Sequence, residues 1–114
     1  LKSAQPGESS ADIRKRINRA RGLQLERYKE RKRIYCNAHL EAKDIRNFCR
    51  IDDEAQNLLK IAIEKFGLSA RAYDKILKVS RTIADLEDVS DIKINHVAEA
   101  IQYRSLDKDV WNKL

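Results

Sequence analysis

A serine and an arginine two residues apart, Ser69 and Arg71, carry the clearest chemistry in this sequence. They stand near the head of residues 67–86, GLSARAYDKILKVSRTIADL, whose pattern predicts one long helix. Gly67 can close the preceding helix in a left-handed conformation. The Ser69 hydroxyl can accept one of the unpaired backbone N–H groups of the first turn. Arg71 falls in that turn, where the macrodipole is positive and a cation is mildly disfavoured. The same helix end favours an anion, so a capping serine with an arginine two residues on is suited to contact a phosphate. The alternative is a solvated Arg71 paired with Asp74 one turn later. Tyr73, Ile76, Leu77, Ser80, Ile83 and Ala84 recur on one face, while Arg71, Lys75, Lys78 and Thr82 fall on the other.

A second cluster is cationic. Residues 14–33 hold ten basic side chains and two acidic ones, and include Arg14, Arg16, Arg19, Arg21 and Arg27. Residues 1–33 carry a net +7 and residues 34–114 a net −1, which together make the chain's +6. The first segment therefore suits nucleic acid, nucleotide phosphates or an acidic face of a neighbouring subunit. A solvated basic face is the alternative. Cys36 and His39 share a C-x2-H spacing, with Cys49 and His96 elsewhere. Structural zinc takes four ligands, usually in paired short spacings at both ends. Only one short pair exists, so no metal site is expected. Two cysteines give no disulfide framework.

The absences also decide something. A P-loop needs a glycine-rich turn ending in Gly-Lys followed by Ser or Thr. The only glycines are Gly7, Gly22 and Gly67, and none precedes a lysine. No nucleophile–base constellation is present either. This chain by itself is not expected to hydrolyse or retain ATP. It begins with Leu and contains no Met, so it is expected to be a piece of a longer product. Without a signal peptide or an apolar run of membrane length, a cytoplasmic protein with no membrane partner is expected.

These residues must be positioned by helices. Residues 1–8 read as a linker, and residues 9–114 as one helical domain. Ser9 and Asp12 resemble a capping box opening a basic helix over residues 10–33, with Ile13, Ile17, Ala20 and Tyr28 as a narrow apolar stripe. Gly22 interrupts it at a cost of about 1 kcal/mol relative to Ala. Residues 34–40 read as a connector and Glu41–Cys49 as a short helix. Asp52 and Asp53 open another, striped by Ala55, Leu58, Leu59, Ala62 and Phe66 and stopped at Gly67. The long helix follows to about Glu87, then a polar turn, then a last helix from Ile94 to about Arg104. His96 is expected to make a polar surface or capping contact, and Trp111 to fold back on the bundle. Helices joined by short loops without strand signals predict an all-α small helical bundle.

The segment GLSARAYDKILKVSRTIADL, followed by HVAEAIQYRSLD, resembles the C-terminal domain of the Mg-chelatase-like AAA+ ATPases, ComM type, near the magnesium chelatase and MCM helicase branch. GESSADIRKRINRARGLQLERY, CNAHL and IDDEAQNLL fit the same pattern in the same order, so the resemblance covers nearly the whole chain. Ile51 stands where Leu is expected, a volume-conserving change. The resemblance implies a lid beside the nucleotide site of a hexameric ATPase that uses ATP and Mg, with the Walker motifs and arginine finger upstream. Arg71 then matches the sensor-2 arginine, contacting the γ-phosphate of its own or a neighbouring subunit. Ser69, Lys75 and Lys78, and more weakly Arg81, become nucleotide or subunit contacts. The partners implied are the ATPase core, neighbouring subunits and DNA, since ComM-type proteins promote branch migration. Two other classes stay open: a stand-alone basic helical nucleic-acid-binding module, and a chelatase-like remodelling or assembly domain.

Overall fold

Helix α4 (Ala70–Leu86) is the hub against which most of the chain packs. In the computed structural model, which describes residues 9–106, four further helices surround or extend it: α1 (Ser10–Arg27), α2 (Ala42–Phe48), α3 (Asp53–Phe66) and α5 (Ile94–Leu106). Helices α1, α2 and α5 and a short 3-10 turn at Asn37–His39 contact α4, and α3 packs on α5. The described residues contain no strand; one parallel bridge, Ile51 to Ile92, joins the loop before α3 to the loop before α5. The protein is an all-α helical bundle.

Local chemistry explains where the helices begin and end. Ser9, Asp52 and Ser69 cap α1, α3 and α4, accepting from Asp12 N, Ala55 N and Ala72 N at 3.1, 2.9 and 3.2 Å. Glu41 and Asp44 form a reciprocal capping box on α2. Gly67, with φ +61°, closes α3 in the left-handed conformation. The core joins Leu59 of α3, Ile76 and Ala84 of α4, and Val97 and Ala100 of α5, all with no exposed area. Each large aliphatic side chain buried this way stabilises the fold by about 1.5–3 kcal/mol.

The structure differs from the sequence expectations at several places, among them Phe66, expected in the apolar stripe of α3 but 50% exposed. The basic helix ends at Arg27, not Arg33: Tyr28 caps it by donating its N–H to Gln24 O, and the chain turns through Arg33 at φ +67°. Tyr28 is 1% exposed, so its burial rather than any breaker residue stops the helix. Ile17, expected in the apolar stripe, is exposed, because α1 docks largely through polar groups. His96 keeps its capping role, accepting from Lys93 N at 2.9 Å, but it is buried rather than a surface residue. Arg81 is buried as well, donating to the carbonyls of Val89 and Ser90 at 2.9 and 2.8 Å, and so is no phosphate or subunit contact. The expectations for the linker 1–8 and for Trp111 lie outside the described residues.

Candidate functional site

The first turn of α4 opens onto a groove of about 880 Å³. Ser69, Arg71, Lys75 and Lys78, the four residues singled out on this helix, all line it. Arg71 is exposed, and among the described residues no ion pair engages it, Asp74 included. Lys75 is half-buried; burial, and then the neighbouring Lys78 charge, pull its ammonium below the usual lysine range. Lys78 reaches across to the Ala38 and Leu40 carbonyls, 3.4 Å from each. Leu40, Ala42 and Ile45 form the apolar floor beside α2. A fourth cation, Arg104, enters from the last turns of α5. Among the described residues Asp74 is the single carboxylate in the lining, beside four cations. The chemistry of such a surface is complementary to an anion: guanidinium groups donate forked, charge-assisted bonds to carboxylate or phosphate oxygens.

The basic residues of α1 divide. Arg27 points inward, its two terminal nitrogens 2.9 and 2.6 Å from the carboxylate oxygens of Asp85. It was expected to meet nucleic acid or a partner, and that expectation is corrected: the guanidinium is consumed inside the fold. Arg19 donates to Leu86 O at 3.0 Å, and Arg16 is half-buried and engaged. Arg14 and Arg21 remain exposed, with Arg21 at the rim of an apolar cleft between α1 and α4.

Asp85 is the centre of a polar clasp that sequence inspection missed. It is 1% exposed and receives Arg27, Arg81 (3.2 Å) and the Asn37 amide (3.0 Å). Asn37 also accepts from the Tyr28 hydroxyl at 2.6 Å, donates to Thr82 at 3.0 Å, and its backbone N–H donates to Gln24 Oε1 at 2.9 Å. Burial pushes the Tyr28 phenol up to about 12, and the Asp85 carboxylate holds Arg27 firmly charged. A buried charge network of this kind fixes how α1 seats on α4.

The thiols and histidines do not converge. Cys49 is buried, and that burial pushes its thiol up to about 11. His39 is exposed, and its Nδ1 accepts from Tyr35 N at 3.1 Å. Among the described residues there is no group of three or more His, Cys, Asp or Glu that could hold a metal. No helix of the described residues is long and apolar enough to cross a membrane.

The sequence profile described as magnesium chelatase, subunit ChlI C-terminal, matches residues 7–104. The chain belongs to this family. Competence protein ComM of Haemophilus influenzae is 43% identical over 100 residues, covering 88% of this chain and 19% of that protein. YifB of Escherichia coli, an uncharacterized protein, is 38% identical over 107 residues, covering 94% of this chain and 20% of its own length. An uncharacterized protein of Mycobacterium tuberculosis is 30% identical over 102 residues, again covering 20% of its length. The chain thus spans about a fifth of the curated relatives it matches. The ChlI C-terminal match takes in α1 to α5 as far as Arg104, and so includes every described residue that lines the groove.

Proposed function

We propose that this chain is the helical lid of a ComM-like, Mg-chelatase-related AAA+ ATPase. In this role Arg71 is the sensor-2 arginine, meeting the terminal phosphate of ATP in its own subunit or a neighbour. The observation that carries the reading is that Arg71, unpaired among the described residues, shares one groove with Ser69, Lys75 and Lys78. Phosphates supply the charge that four clustered cations lack. The groove suits the nucleotide; Asp74, the one carboxylate among its described residues, does not make a magnesium cage, and the Mg ion would belong to residues of the ATPase core. Arg71 would orient the γ-phosphate and stabilise charge that develops on its oxygens during transfer. Hydrolysis would then move the lid against the core. The working form would be a cytoplasmic hexamer acting on DNA, as the resemblance to ComM-type ATPases implies. A chelatase-like remodelling role is the second reading, favoured by the family's own description. A stand-alone nucleic-acid module built on α1 is less well supported, because Arg27 and Arg19 are spent on Asp85 and Leu86 O.

The test is ATP hydrolysis by the complete ATPase carrying this domain, with and without branched DNA, for wild type and Arg71→Ala. The expected result is a loss of about 100-fold or more in DNA-stimulated turnover, with an unchanged melting temperature. Turnover sensitive to Arg71 but indifferent to DNA would move the substrate towards a remodelled protein. Turnover unchanged in Arg71→Ala would sink the sensor assignment.

A further inference from the structure

The groove contains one cation that no motif in the sequence singles out. Arg104 sits 33 positions beyond Arg71, on a different helix, yet lines the same concave surface. Its place near the C-terminal end of α5 is favourable for a cation through the helix dipole alone, so helix position decides nothing. Its company does. Arg71, Lys75 and Lys78 already crowd this surface, and Asp74 is the only carboxylate among the described residues that line it. Among the described residues neither arginine is engaged in an ion pair. The two lysines are partly committed: Lys78 to backbone carbonyls at 3.4 Å, Lys75 to a half-buried position where its charge is penalised. The two guanidinium groups are left as the forked donors, one from α4 and one from α5. A volume of about 880 Å³ is ample for a polyphosphate chain.

We propose that Arg104 is a second guanidinium on the terminal phosphate of a nucleoside triphosphate, and that with Arg71 it sets discrimination of triphosphate from diphosphate. This rests on the reading of the groove as the nucleotide-facing surface of a lid. A terminal phosphate held from α4 and α5 together ties the two helices to one ligand group; when that phosphate leaves, both forks lose their partner. A diphosphate retains the general attraction of the lysines but neither fork.

Arg104→Gln and Arg104→Lys in the complete ATPase test this, reading kcat and KM for ATP beside inhibition by ADP. The expected result for Arg104→Gln is a KM for ATP raised about 10-fold or more, the size of one lost charge-assisted bond. Inhibition by ADP should move by less than about twofold, and Arg104→Lys should recover part of the loss. Equal weakening towards ATP and ADP, with or without a lower melting temperature, would assign Arg104 to packing or to the general field and overturn the proposal. So would a variant indistinguishable from wild type. If either occurs while Arg71→Ala still abolishes turnover, the lid reading stands and only Arg104 is lost; if Arg71→Ala is silent, both fall.

Discussion

Asp85 shows how one side chain can hold a helix in place. Its carboxylate accepts from Arg27 and Asn37 and forms an ion pair with Arg81 while being 1% exposed. Removing it leaves two guanidinium groups facing each other with no counter-charge in a poorly solvated site. Breaking a buried pair in this way costs about 3–5 kcal/mol, a large share of a small domain's stability. Asp85→Ala should therefore lower the urea midpoint sharply, and equilibrium denaturation would show it. Local sequence did not reveal this residue. ADLEDVSD reads as the polar end of a helix, and the partner that buries Asp85 lies 58 positions upstream. Arg27 is hidden for the same reason: a cation among nine others in residues 14–33 looks solvated until its carboxylate is known. Arg71 was legible because its setting is local, a Ser cap and a first turn.

At the scale of single helices, caps are local and were readable: Ser9, Asp52, Gly67 and Ser69 all act where their types predict. The end of α1 was not readable, since helix-forming residues continue to Arg33 and only the burial of Tyr28 stops the helix. Gly22, inside α1, and Gly67, the cap of α3, make an opposed pair of predictions. A methyl group at Gly22 would meet nothing within 4 Å, so Gly22→Ala should stabilise the protein by about 0.5–1 kcal/mol through backbone entropy and helix propensity. Gly67 holds φ +61°, where a Cβ crowds the following carbonyl, so Gly67→Ala should destabilise by about 1–2 kcal/mol. Urea melts of the two variants should move in opposite directions. A shift of the same sign in both would contradict the roles given to α1 and the α3 terminus.

Across the whole molecule, the segment after α1 is stitched down by charge. Arg31 donates to Asp44 at 2.6 Å, joining the turn at 28–33 to α2. That bond, more than the opposing effect of burial, holds the Asp44 carboxyl below its usual range. A depressed carboxyl contributes its stability above the unfolded pKa of about 4 and loses it as pH falls through the lower folded value. Acid unfolding should accordingly steepen below pH of about 4, and Asp44→Asn should flatten that limb in a pH series of thermal melts. The groove was only half legible: one side is a single helix face, the other needs α5 folded against α4. The clasp at Asp85 has one more consequence, which concerns time. Chains leave the ribosome N-terminus first, so α1 emerges long before the carboxylate that seats it. Closing a loop of 58 residues is slow relative to forming local contacts. Until α4 has been made, the most positively charged of the described helices waits undocked, with Arg27 unpaired beside Arg14 and Arg21, available to any polyanion nearby.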